Sequence, residues 1–258
     1  MKTSRLLCAA IILVPGVALA ASAFDGTWKT DTSRIQASTK PFVTVIDDTG
    51  YTCSSCTPPY TVKADGTDQK VTGHDYDTVA VTVTPTSVTV VRKLKGKPLA
   101  SVKEVIGSDG KTATQEGTYN YGAEPATNKV ALKQVTPPAA GANPLSGSWV
   151  VAKVLSVSDT GATETLAMTD DGFSWSSNGQ SYDAKFDGKL VAITGDPTHT
   201  KVKVKKLAPT SVLESDYDKG KLVETTRRTV SADGKTVHVV DTDVRSGRIN
   251  KWTMDKQP

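Results

Sequence analysis

The chain has few of the residues that perform most enzyme chemistry. Only three histidines and three cysteines occur in 258 residues, and one of the cysteines, Cys8, lies near the amino terminus. The sequence contains no Ser-centred nucleophile elbow, no pair of metal-binding histidines and no glycine-rich phosphate loop. These absences favour a protein that is not an enzyme, and we predict no catalytic residues, no metal ligands and no cofactor.

Long apolar runs are missing beyond the amino terminus. Residues 6–20 form an apolar run that follows Lys2 and Arg5, contains Pro15 and ends at small residues, with cleavage expected after Ala20 or Ala23. This pattern predicts a secretory signal peptide over residues 1–23. The run is shorter than the roughly 20 residues of a membrane-spanning helix. We therefore expect a periplasmic or secreted protein whose mature form has no integral membrane segment.

The chain also has no large excess of positive or negative charge. The net charge is +4, and it falls to +2 without residues 1–23. This balance gives no reason to expect nucleic acid as a partner. Hydrophobic residues make up only 37% of the chain, but charged residues are 22%, which does not fit the high-charge composition of disordered proteins. The 20 glycines and 13 prolines lie between short runs rich in Thr and Val, which favours strands and turns over long helices.

What the sequence does contain is an internal duplication. Phe24-Asp25-Gly26-Thr27-Trp28 matches Leu145-Ser146-Gly147-Ser148-Trp149, and residues 48–55 match residues 170–177. After a two-residue insertion in the second copy, the match continues through the carboxyl-terminal part, where Asp109-Gly110-Lys111-Thr112 matches Asp233-Gly234-Lys235-Thr236. We predict two repeats, residues 24–136 and 145–258. The segment 137–144, rich in Pro and Ala, is interpreted as a linker between them.

Each repeat has the periodicity of β-strands. Val79, Val81 and Val83 alternate with smaller or polar residues, and the Asp-Gly pairs are typical of hairpin turns. Many short strands in about 110 residues must cover their edges, which closure into a barrel achieves. We therefore predict an all-β protein of two tandem antiparallel β-barrels. A single larger barrel or sandwich built from both copies is the alternative.

The start of each repeat resembles a known family. Gly26-Thr27-Trp28 and Gly147-Ser148-Trp149 are similar to the Gly-x-Trp motif in the first strand of the lipocalin superfamily (calycins). This resemblance implies lipocalin-like barrels in which Trp28 and Trp149 each close one end, beneath a basic side chain of the last strand. Arg248 or Lys251 is the candidate in the second copy, and Lys129 in the first. It also implies a small apolar or amphipathic ligand.

The duplication separates features of construction from candidates for function. Aromatic residues at equivalent positions of both copies, such as Phe173 with Tyr51 and Tyr182 with Tyr60, are interpreted as structural or, alternatively, as the wall of a ligand cavity. Trp175 has no aromatic counterpart, because Cys53 occupies the equivalent position. We therefore place the candidate ligand site in the second barrel, at Trp175, Phe173 and Tyr182.

Cys53 and Cys56 occur in the first copy only and are the only cysteines after residue 23. In an exported chain they predict a disulfide, for which Ser54-Ser55 must form a turn. A redox pair and a zinc site are the alternatives.

Lysines alternate with valines in Lys201-Val202-Lys203-Val204-Lys205, which predicts a half-buried strand with a charged outer face or, alternatively, an anion-binding surface.

The functional hypothesis is an exported, non-catalytic protein that binds a small ligand. The alternative is an envelope scaffold or protein-interaction module with filled barrels.

Overall fold

The computed structural model describes residues 22–258 and is almost entirely β. The predicted signal peptide lies, apart from its last two residues, outside the described residues. Two ten-stranded antiparallel sheets each curl into a nearly closed barrel. Helical structure in the described part of the chain is limited to a 3₁₀ turn at Thr32–Arg34 and a single turn, α1, at Asp159–Ala162. The prediction of two antiparallel barrels is confirmed.

The first barrel is a continuous segment of the chain. Its strands follow one another as a meander, and the last strand returns beside the first. They are β2 (Phe42–Asp47), β3 (Gly50–Cys53), β4 (Tyr60–Val62), β5 (Gln69–Lys70), β6 (Thr78–Val83), β7 (Ser87–Leu94), β8 (Lys97–Ile106), β9 (Thr112–Tyr119), β10 (Ala126–Thr136) and β11 (Gly147–Val157).

The second barrel combines the carboxyl-terminal part of the chain with the first strand. It consists of β12 (Thr163–Met168), β13 (Gly172–Ser177), β14 (Gln180–Lys185), β15 (Val191–Ala192), β16 (Lys201–Ala208), β17 (Ser211–Asp218), β18 (Lys221–Val230), β19 (Thr236–Asp243), β20 (Arg248–Lys256) and β1 (Gly26–Thr30). Strand β1 lies between β12 and β20, so the two ends of the chain meet in one sheet.

The sheets and the sequence repeats therefore do not coincide. The first strand of each repeat belongs to the barrel formed by the other repeat, because β1 lies in the second barrel and β11 in the first. The segment 137–144 does not connect the barrels. It lies in the hairpin loop between the neighbours β10 and β11, and the barrels are joined instead through residues 31–41 and 158–162.

The physical reason for this exchange is the likeness of the two Gly-x-Trp strands. Either strand can complete either barrel, and β10 takes the strand that follows it directly in the chain, because closing a short hairpin loop costs little entropy. The repeat boundaries 24–136 and 145–258 consequently describe the duplication and not the folded units, which are residues 42–157 and residues 163–258 together with the amino-terminal strand.

Strand alternation builds a separate core in each barrel. Val79 and Val81 are fully buried in the first barrel, and Val202 and Val204 are buried in the second. Lys201 and Lys205 are exposed on the opposite face of β16, as its alternation predicts. Positive φ angles of 65° at Gly110 and 69° at Gly234 form the tight turns that the Asp-Gly pairs predict.

The paired tryptophans occupy equivalent places in the two cores. Trp28 and Trp149 have no exposed surface, and each Nε1 donates a hydrogen bond to the backbone oxygen four residues earlier, Phe24 O at 2.8 Å and Leu145 O at 3.1 Å. The Nζ of Lys256 on β20 lies 5.3 Å from the centroid of the Trp28 ring. A basic side chain of the last strand does cover this ring, but it is Lys256.

Candidate functional site

Both barrels are hollow. The first contains a cavity of about 420 Å³, and the second contains one of about 440 Å³. These volumes lie within the range of roughly 300 to 1,000 Å³ that is typical of small-molecule sites. Asp75, Tyr121 and Arg245 line both cavities, so the two spaces adjoin where the barrels meet.

An aromatic stack forms one wall of the first cavity. The Arg92 guanidinium lies 5.5 Å from the centroid of the Tyr76 ring. The ring of His74 is stacked on Tyr76 with centroids 4.7 Å apart, and Tyr60 meets His74 edge-on at 5.5 Å. Stacking of this kind fixes the planes of the guanidinium and of the imidazole relative to each other.

Two polar atoms of this wall have no partner. The Nε of Arg92 and the Nε2 of His74 are shut off from solvent and make no hydrogen bond within residues 22–258. His74 is only 8% exposed, and burial lowers its pKa, which favours the neutral imidazole. Orphaned polar atoms are costly, so their grouping around one cavity indicates a site that a ligand completes.

A carboxyl group, that of Glu104, also lines this cavity. Glu104 is buried, and burial raises the pKa of its carboxyl group, which favours the neutral acid. Its Oε1 accepts a hydrogen bond of 2.7 Å from the Nε2 of Gln115. Burial also raises the pKa of Tyr76, so its hydroxyl stays uncharged.

The mouth of the first cavity is basic and is built partly from the other barrel. Lys40 and Arg245 are exposed at this mouth, together with the half-buried Arg248. The Nη2 of Arg248 donates to Pro41 O at 3.3 Å, across the junction of the two barrels. Arg248 belongs to the second barrel, whereas the exchange of first strands puts Trp149 in the core of the first barrel.

The second cavity is dominated by carboxyl groups. Arg228 is buried and ion-paired, with its Nη1 2.5 Å from the Oε2 of Glu214 and its Nη2 3.2 Å from the Oε2 of Glu164. The hydroxyl of Tyr182 donates to the same Oε2 of Glu214 at 2.5 Å. Further carboxyl groups line the remaining wall, those of Asp196, Asp216, Asp218, Glu224 and Asp241.

Burial holds several of these acids in the neutral form. It raises the pKa of Asp216 to about 8, assisted by the negative charge of Glu214. It also raises the pKa of Glu224 well above its ordinary value, and that of Asp241. The Oδ1 of Asp216 is out of contact with solvent and has no hydrogen-bond partner among the described residues.

The two cavities carry opposite charges at equivalent positions. Strands β7 and β8 correspond to β17 and β18, 124 positions later in the chain. In that register Arg92 corresponds to Asp216, and Glu104 corresponds to Arg228. The barrel fold therefore accepts a positive or a negative side chain at these inward-facing positions. The fold by itself does not require a cation at position 92.

The three predicted ligand residues of the second barrel lie in different surroundings. Trp175 lies on the cavity wall, with its ring stacked 5.7 Å from that of Tyr182. Tyr182 is buried and is engaged with Glu214. Phe173 is fully buried and packs edge-on against Phe24, with ring centroids 5.4 Å apart, so it belongs to the core.

The predicted disulfide is present. Cys53 and Cys56 are bonded, with Cα atoms 5.4 Å apart, and the turn at Ser54-Ser55 brings them together. Both cysteines line the first cavity. The pair therefore shapes the wall of the cavity that contains Arg92.

No known protein family, curated protein or solved structure matches this chain. The lipocalin resemblance of the Gly-x-Trp strands therefore stays a prediction. No helix within residues 22–258 has the length and apolar character needed to cross a membrane. In the same range, no group of three or more His, Cys, Asp or Glu side chains is placed to hold a metal ion.

Proposed function

We propose that this chain is an exported, non-catalytic protein that binds a small amphipathic molecule in the cavity of the first barrel. The observation that carries the proposal is a cavity of about 420 Å³ whose walls combine aromatic rings with buried polar atoms that lack partners. The rings supply apolar contact area, and the orphaned atoms supply orientation and specificity. The hollow interior favours this function over the scaffold alternative, for which filled barrels are expected.

The proposal moves the ligand site from the second barrel to the first. In the second cavity, Arg228, Glu214 and Tyr182 satisfy one another, and the atoms without partners belong to the indole of Trp175 and to the carboxyl group of Asp216, which burial favours in the neutral form. In the first cavity one unpaired nitrogen belongs to a cation, Arg92, and another to His74. A charged group without a counter-ion gains more from a ligand than a neutral group does.

An uncharged fluorescent probe tests this function. N-phenyl-1-naphthylamine fluoresces weakly in water and strongly in apolar surroundings, and we expect saturable binding of about one probe per chain. Val90 lies on the cavity wall and is 6% exposed. The variant Val90→Trp fills the cavity, so it should weaken binding by about tenfold or more.

The matched control is Val105→Trp, because Val105 is 40% exposed and lies outside both cavities. It should bind the probe as the unaltered chain does. Thermal unfolding of both variants shows that each is folded at the temperature of the titration. If the unaltered chain does not bind the probe, or if both variants bind it equally, the first cavity is not the site.

A further inference from the structure

The charge of Arg92 is unusual for a barrel interior. Arg92 lies on the same face of β7 as the buried Val88 and Val90, so it points inward. Its Nε has no partner among residues 22–258. Arg228, the arginine of the second barrel, touches two carboxylates by contrast. Arg92 is half-buried and forms no ion pair among the described residues, so the first barrel lacks the anion that the second barrel has built in.

The neighbours of Arg92 do not supply that anion. Burial acts to lower the pKa of the guanidinium, but Arg92 stays charged because a guanidinium keeps its proton in proteins. The buried Glu104 is bonded to Gln115, and burial favours its neutral form. Asp75 lies at the edge of the cavity, where its Oδ2 accepts a hydrogen bond of 3.2 Å from the hydroxyl of Tyr121.

His74 supplies a second group directed at the same space. It is more than nine-tenths buried, it lines the cavity, and its Nε2 has no hydrogen-bond partner in the described part of the chain. Tyr76 separates it from Arg92, with the imidazole stacked on the ring and the guanidinium beside it. One rigid aromatic ring therefore holds two potential hydrogen-bond donors toward one cavity.

We infer that the ligand of the first barrel carries an oxyanion, a carboxylate or phosphate group, which Arg92 and His74 bind while the aromatic walls hold its organic body. This inference rests on the proposed function of the cavity. The planar guanidinium presents paired donors that match the oxygens of a carboxylate or phosphate. The mouth carries three cations, Lys40, Arg245 and Arg248, and two acidic residues, Asp75 and Asp243, of which Asp243 lies 3.8 Å from the Nε of Arg245. The remaining excess of positive charge favours an anion at the opening.

The test compares two probes that share one skeleton. 1-Anilinonaphthalene-8-sulfonate is N-phenyl-1-naphthylamine with an added sulfonate, whose oxygens carry the charge of an oxyanion. We expect the unaltered full-length chain to bind the sulfonate probe about tenfold more tightly than the uncharged probe, a difference of about 1.4 kcal/mol. Arg92→Met should remove this advantage, so that the variant binds the two probes with affinities that agree within about threefold.

Arg227→Met is the matched control, because Arg227 is an exposed arginine on the second barrel. It should keep the preference for the sulfonate probe. A second measurement needs no variant: 2-naphthoate and 2-naphthyl phosphate should displace the uncharged probe from the unaltered chain at about tenfold lower concentration than 2-naphthamide. The better of these two competitors identifies which oxyanion the site prefers.

The outcomes separate the inference from the function on which it rests. If neither probe binds, the proposed function is wrong and the inference falls with it. If both probes bind equally and 2-naphthamide competes as well as the two anions, the cavity binds ligands but the inferred oxyanion is wrong. If Arg92→Met loses both probes while remaining folded, Arg92 shapes the cavity and does not select the charge, and the inference is again wrong.

Discussion

The buried acids of the second barrel predict a stability that falls as the pH rises. Asp216 has an ordinary pKa of 3.8, which burial raises to about 8 in the folded chain. Below about pH 4 the carboxyl group is neutral in both states and makes no difference. Between about pH 4 and pH 8 the folded chain keeps a proton that the unfolded chain releases, so each rise in pH favours unfolding.

The magnitude follows from the separation of the two pKa values. About 1.4 kcal/mol per pH unit over about 4 units gives an upper value of roughly 6 kcal/mol. Water that relaxes around the ionised group recovers part of this cost, so we expect Asp216→Asn to stabilise the second barrel by at least about 2 kcal/mol at about pH 8.5. Near pH 4 the same substitution should change the free energy of unfolding by less than about 0.5 kcal/mol.

Urea unfolding followed by tryptophan fluorescence measures this effect. Trp28, Trp175 and Trp252 pack in the second barrel, and Trp149 packs in the first, so most of the signal reports the barrel that contains Asp216. Asp170→Asn removes an exposed carboxyl group of the same barrel and should show no such dependence on pH. A gain from Asp216→Asn that is equal at both pH values, or a loss at about pH 8.5, would refute the reasoning.

Three further predictions concern the stability of the barrels. Arg228→Met should lower the free energy of unfolding of the second barrel by about 3 to 5 kcal/mol, because it leaves buried carboxylates without their cation. Arg92→Met should leave the free energy of unfolding of the unliganded first barrel unchanged or higher. Urea unfolding of both variants measures this difference. Reducing the Cys53–Cys56 disulfide should cost at most about 2 kcal/mol, because it closes only a short loop, and calorimetry should show the second barrel unaffected. Trp28→Phe should lower the unfolding free energy by about 2 to 3 kcal/mol through the lost hydrogen bond and lost volume, measured against the unaltered chain in the same melt.

Local pattern was sufficient to predict the strands and the turns. The alternation around Val79 and around Lys201 gives the buried face of each strand, because successive side chains point to opposite faces. The alternation does not predict the order in which the strands pair in each sheet. Two strands that share the Gly-x-Trp pattern occupy equivalent places in the two barrels, and the short hairpin loop at residues 137–146 favours the pairing of β10 with the strand that follows it.

The sequence placed the candidate ligand site in the second barrel, at Trp175, and not in the first. Trp175 does lie on the wall of the second cavity. The charged interior was missed, since a charged residue in a strand is ordinarily a solvent-facing residue. Two features of the sequence indicate a charged interior. Alternation puts Arg92 on the same face of the strand as Val88 and Val90, and the alignment of the two repeats pairs Arg92 with Asp216. Neither the oxyanion site nor the acidic cavity resembles a sequence motif, because their members come from separate strands.

Because of the strand exchange, the two barrels can be completed at different times during synthesis. The first barrel is a continuous meander, so its strands can pair as each one emerges, up to residue 157. The second barrel must wait for β20, because β1 pairs with β20, with Trp28 opposite Lys256, across almost the full length of the chain. Contacts so distant in sequence form slowly. Strand β1 can pair with β12 once residues 163–168 have emerged, but its other edge stays unpaired until β20 follows. A chain truncated before β20 would leave that edge free to pair with a neighbouring molecule.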